Sequence, residues 1–105
     1  MRPRIGITTS WTDGSQCLNR RYVTAVEQAG GVPFPLPMVD ETDTRIEITS
    51  LLDGLVVIGG PAVTDGLVGA LPDDLDTLDP ERDVSDGAWL DLCWNAGLPI
   101  LGICY

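Results

Sequence analysis

The 105 residues contain no histidine. The one side chain whose ordinary pKa lies near neutrality is missing, so proton transfer within this chain must fall to other groups. Basic residues are scarce as well: six against 16 acidic ones, for a net charge of −10. Such a balance repels phosphate backbones and anionic lipid surfaces, which argues against nucleic acid and membrane as partners. No apolar run approaches the ~20 residues that a bilayer-spanning helix needs. The opening MRPRIGITTS also lacks the apolar stretch of a secretory signal. Cysteine is limited to Cys17, Cys93 and Cys104, an odd number without CxxC spacing, so a disulfide framework is not indicated and a reducing cytoplasm fits best. The acidic positions Asp73, Asp74, Asp76 and Asp79 lack the spacing of a calcium loop. No metal and no cofactor is assigned.

What is present is a small soluble chain, 44% hydrophobic and 21% charged, with 12 glycines and 8 prolines, enough for one modest core. RIGITT (4–9) reads as a first strand, followed by a loop at Asp13, Gly14 and Ser15. In LNRRYVTAVEQAGG, residues Tyr22, Val23, Ala25, Val26 and Ala29 recur at helical spacing, with Asn19 as N-cap and Gly30–Gly31 closing the helix. VPFPLP (32–37) predicts a proline-bearing strand near a sheet edge. A second helix is expected over 42–52, and LVVIGG (55–60) is the continuous apolar run of a parallel strand covered on both faces. Residues 61–80 lose periodicity and read as a long loop. A third helix follows, with Val84, Ala88, Trp89, Leu92, Cys93 and Ala96 on one face, Trp89 and Trp94 as packing residues and Gly87 as a weak point. LPILGIC (98–104) is the fourth strand. The order β-α-β-α-β-loop-α-β predicts right-handed crossovers and a doubly wound parallel α/β sheet.

In open α/β sheets reactive groups collect where loops leave the carboxyl ends of strands. Two such ends stand out: Gly59-Gly60-Pro61, and Gly102-Ile103-Cys104 followed by Tyr105. A cysteine two residues after a glycine at the end of a strand suits the start of a nucleophile elbow, in which the next N–H helps to hold an oxyanion, although the glycine that would complete G-x-C-x-G is not present. Taken alone, such a cysteine is more often a small core hydrophobe. Cys93 reads as core and Cys17 as an exposed thiol.

Taken in order, RPRIGITTS, YVTAVEQAGGVPFPLP, LLDGLVVIGG, LDPERD and GLPILGICY resemble the N-terminal half of the gamma-glutamyl-gamma-aminobutyrate hydrolase family, within the class I glutamine amidotransferase-like superfamily. The resemblance implies a flavodoxin-like sheet, here truncated after the fourth strand, with residues 1–105 forming one half-domain. It also implies a small gamma-glutamyl substrate, Cys104 as nucleophile, and an oxyanion hole from the backbone N–H groups of Gly60 and Tyr105. Pro61 has no N–H to give. The family's loop after the paired glycines differs here at Ala62, Asp65 and Val68, and at its third helix Arg82, Asp83 and Asp86 keep the charges but replace a glutamate by aspartate. The histidine and glutamate that the family uses lie beyond the cysteine, so the expectation is an unactivated thiol and a chain inactive alone. An exposed edge on the fourth strand predicts self-association, or completion by a C-terminal half. Two other readings stay open: one half of a split enzyme whose histidine and glutamate come from another chain, and a noncatalytic flavodoxin-like binding module.

Overall fold

The computed structural model describes residues 1–59 and 80–103. Its elements are β1 (Arg4–Ile7), β2 (Ser10–Thr12), β3 (Ser15–Cys17), α1 (Arg20–Gln28), β4 (Val32–Pro35), α2 (Thr42–Thr49), β5 (Gly54–Val57), α3 (Pro80–Asn95) and β6 (Ile100–Gly102). β4, β1, β5 and β6 form one parallel sheet in that order. Stepping from β1 out to β4 and then back across β1 to β5 reverses direction. Right-handed crossovers therefore put α1 on one face and α2 and α3 on the other. The packing agrees: α1 lies on β1 and β4, α3 lies on β5, and α2 packs against α3. This is the doubly wound α/β arrangement expected from the sequence, with proline-bearing β4 at one margin and β6 at the other.

The principal core lies beneath α2 and α3. Leu36, Leu52, Leu55, Val57, Trp89 and Cys93 are buried together, flanked by Phe34, Ile48, Leu90, Leu98 and Ile100. On the α1 side the packing is close around Gly31, where an added Cβ would sit 3.0 Å from Val26 Cγ1 and 3.1 Å from Ile5 Cγ1. Gly31 thus serves close approach, while Gly30 alone has the left-handed backbone (φ 93°) that ends α1. At the other end of that helix, Asn19 Oδ1 accepts from Arg21 N–H at 2.9 Å, the expected N-cap.

Several boundaries and one element differ from expectation. β5 is shorter than the apolar run that announces it because the Ile58 N–H and carbonyl and the Gly59 N–H go to side chains, whereas beyond β1 the Thr8 N–H still reaches the Val56 carbonyl at 3.0 Å. Helix α2 stops at Thr49, with Ser50 as its C-cap. The loop expected at Asp13–Ser15 is the tip of an antiparallel hairpin, β2 on β3, with Trp11 opposite Gln16. Asp13 (φ 49°) and Gly14 (φ 79°) are both left-handed, the pattern of a tight two-residue hairpin turn. Gln16 Oε1 accepts from Met38 N–H at 2.7 Å, which ties the hairpin to the chain leaving β4.

Helix α3 is rotated relative to the expected apolar face. Its buried positions are Arg82, Ser85, Asp86, Trp89 and Cys93. Val84 is 69% exposed, being ~140° around the helix from Trp89. Trp94, expected to pack, is 76% exposed. A reading based on hydrophobicity passes over a charged pair that can be buried once its members meet. The long loop expected over 61–80 falls outside the described residues, except that Pro80 begins α3.

Two glycines should respond oppositely to alanine. Gly30→Ala forces a Cβ into left-handed backbone and is expected to lose about 1–2 kcal/mol. Gly87→Ala, exposed within α3 with nothing within 4 Å of the new Cβ, should gain about 1 kcal/mol. Urea denaturation of both variants checks the pair, and equal shifts would contradict the assignment.

Candidate active site

The three site residues read from the sequence, Gly60, Cys104 and Tyr105, lie outside the described residues. What the structure does show is the pair of strand ends that lead to them. β5 and β6 are adjacent and parallel, with Val57 opposite Gly102. Ile103 N–H extends the ladder by donating to the Val57 carbonyl at 2.9 Å. The described chain therefore runs, on neighbouring strands, to Gly59 on one side and Ile103 on the other, each one residue short of a candidate.

The segment after β5 is held by side chains from three elements. Ile58 N–H donates to Thr8 Oγ1 at 3.1 Å, and the Ile58 carbonyl accepts from Arg82 Nη2 at 2.5 Å. Gly59 N–H donates to Tyr22 Oη at 3.2 Å. Arg82 Nε in turn donates to Asp86 Oδ2 at 3.2 Å, one helical turn away, with both side chains almost wholly buried. A buried guanidinium is tolerated because its donors meet a carboxylate and a carbonyl. Just upstream, the Thr9 hydroxyl donates to the Leu36 carbonyl at 3.0 Å, joining the end of β1 to the end of β4.

Thr8 went unnoticed in the sequence, and Tyr22 was read only as part of an apolar stripe. Their signals were weak but present. Two threonines close an otherwise apolar strand, at the end where loops gather. Arg82 and Asp86 stand at i, i+4, in phase with Trp89 and Cys93.

Two clefts lie beside α3. One, of about 550 Å³, is lined by Trp11 and Gln16 of the hairpin, by Met38 and Arg45, and by Glu81 and Ser85 of α3. The other, about 300 Å³, lies between α3 and β6 and reaches Val57, Asp86, Leu90 and Gly102. The smaller one borders the strand that continues toward Cys104. Among the described residues no cluster of three or more metal-ligating side chains occurs, and no helix is long and apolar enough to cross a membrane.

A four-stranded parallel sheet in this order, with three helices, is consistent with a flavodoxin-like, class I glutamine amidotransferase-like fragment. The chain belongs to the Peptidase C26 family, whose pattern matches residues 3–105. It is similar to a gamma-glutamyl-gamma-aminobutyrate hydrolase of Escherichia coli, 34% identical over 92 residues, covering 86% of this chain and 36% of that protein. It also resembles two glutamine amidotransferase-like proteins. The one from Rickettsia prowazekii is 30% identical over 118 residues, covering 98% of this chain and 40% of its own. The other, from Lactococcus lactis, is 30% identical over 95 residues, covering 90% and 40%. The chain thus spans well under half the length of these relatives.

The described cysteines differ sharply in setting. Cys17 is exposed in β3, and Cys93 is fully buried, with its thiol pushed up by loss of solvent. The raised value means that the folded state keeps this proton where the unfolded chain releases it. The stability contribution from Cys93 is therefore complete below the ordinary thiol value of 9.0 and declines as pH rises above it. In a labelling experiment at pH 8, a water-soluble disulfide reagent should modify Cys17 readily and Cys93 at least ~100-fold more slowly until denaturant is added. Equal rates would show that the α3 core is open.

Proposed function

We propose that residues 1–105 form the N-terminal, nucleophile-bearing half of a cysteine hydrolase acting on gamma-glutamyl amides. The observation that carries this reading is the adjacency of the two strand ends, through the Val57–Gly102 pairing and the bond from Ile103 N–H to Val57. Gly60 follows one end and Cys104 the other. The gamma-glutamyl-gamma-aminobutyrate hydrolase named among the relatives supplies the substrate class.

In this mechanism the Cys104 thiolate attacks the gamma-carbonyl carbon, and the electron pair of the C=O bond moves onto oxygen. Backbone N–H groups of Gly60 and Tyr105 receive that oxyanion. Its collapse breaks the C–N bond, the amine leaves with a proton, and a thioester remains on sulfur. Water then attacks the thioester, releasing glutamate and restoring the thiol. Each proton transfer needs a base and an acid, and no histidine is available in these 105 residues. We assign that role to a histidine, oriented by a glutamate, from polypeptide outside them. The chain alone then lacks that base and is inactive.

β6 stands at the margin of the sheet, with Leu101 59% exposed. Among the described residues no strand pairs with its outer edge, and an open strand edge is a template for pairing with another strand. A completing half is its occupant in the active protein, and a second copy of the chain takes its place otherwise.

The test mixes the chain with a polypeptide carrying the C-terminal portion of a C26 enzyme. Glutamate release from a gamma-glutamyl amide should appear only in the mixture, and Cys104→Ala should lower it at least ~1,000-fold. Sedimentation should show self-associated chain converting to a one-to-one complex. Turnover by the chain alone, or turnover that survives Cys104→Ala, would contradict the proposal.

A further inference from the structure

The end of β5 shows an unusual division of labour. In a regular parallel strand the N–H and C=O groups of successive residues are taken by neighbouring strands. At Ile58 and Gly59 three consecutive polar groups, the Ile58 N–H, the Ile58 carbonyl and the Gly59 N–H, go instead to the side chains of Thr8, Arg82 and Tyr22. Thr8 follows the central strand β1, Tyr22 belongs to α1 on one face of the sheet, and Arg82 belongs to the first turns of α3 on the other. Two of the three holders are almost completely buried, at 1% for Thr8 and 3% for Arg82. Arg82 is itself braced by Asp86.

We infer that Thr8, Tyr22 and Arg82 are positioning residues that fix the backbone immediately before Gly60. This inference rests on the reading of Gly60 as an oxyanion donor. A backbone N–H is useful for that purpose only if its direction is set before the reaction begins, because reorientation during the reaction would consume the advantage. A glycine resists such fixing by itself, since it lacks the steric limits that a side chain imposes. The solution here is external: the peptide planes ahead of it are gripped from both faces of the sheet. Tyr22 is the most informative member. Its hydroxyl is the acceptor for Gly59 N–H and its side chain is only half-buried on α1, so removal of one oxygen takes away that bond and little else.

The experiment follows amide exchange by NMR in the chain itself, with Tyr22→Phe and Thr8→Val as the variants. In Tyr22→Phe the Gly59 amide should exchange about tenfold faster, while Ile5, Gly6 and Leu55 keep their protection. Thr8→Val should release the Ile58 amide instead. In the complemented enzyme, Tyr22→Phe should lower kcat about tenfold and change KM less than twofold, the mark of a donor displaced in the transition state. A purely structural role would leave that split absent in the fraction that folds. Unchanged exchange at Gly59 overturns the inference, as does faster exchange with an unchanged kcat. Hydrolysis that survives Cys104→Ala overturns the underlying reading instead, and the exchange measurement, made without substrate, keeps the two failures apart.

Discussion

The peptide at Ile58 joins residues from near the two ends of the chain. Its N–H meets Thr8 and its carbonyl meets Arg82, so the contact can form only when β1, β5 and α3 are all in place. The parallel sheet creates the condition for it. β1 sits between β4 and β5, which brings Thr8 beside the end of β5, and the crossover from β5 to β6 brings the start of α3 over the same point. A charged group within the core is otherwise unfavourable. Here it is retained because Asp86 and a backbone carbonyl meet the guanidinium together.

This contact also explains why β5 ends where it does. The apolar run 55–60 could in principle continue a ladder, yet hydrogen bonding passes from backbone to side chains at Ile58. At the end of β1 the Thr8 N–H still meets the Val56 carbonyl, and the hydroxyls of Thr8 and Thr9 add bonds to the Ile58 N–H and the Leu36 carbonyl. The sheet is regular through its middle and held by side chains at its carboxyl edge, which is the edge where reactive loops gather in such folds.

Much of this architecture could be read in the residues themselves. Continuous apolar runs separated by helical stripes implied the parallel sheet, prolines placed β4 at a margin, and Asn19 and Gly30 marked both ends of α1. The hairpin was legible in principle, since Asp13-Gly14 is a strong two-residue turn signal, but its flanking segments are short and polar and did not register as strands. The buried face of α3 was harder. Val84 looks like a core residue and Arg82 like a surface one, and only the third dimension reveals that Arg82 has a carbonyl and a carboxylate to meet. The candidate residues Gly60, Cys104 and Tyr105 came from motif and resemblance; the side chains that hold the backbone at Ile58 and Gly59 came from contacts between segments distant in sequence, which periodicity does not encode.

In the function we propose, the strand ends beside Val57 and Gly102 lead to a cysteine nucleophile facing a gamma-glutamyl carbonyl. Covalent capture tests it most directly: the complemented protein is treated with a gamma-glutamyl chloromethyl ketone and the modified residue is located by mass spectrometry. A single adduct on Cys104, blocked by excess gamma-glutamyl amide, is the predicted result. Modification confined to the exposed Cys17, or insensitive to that amide, would contradict it.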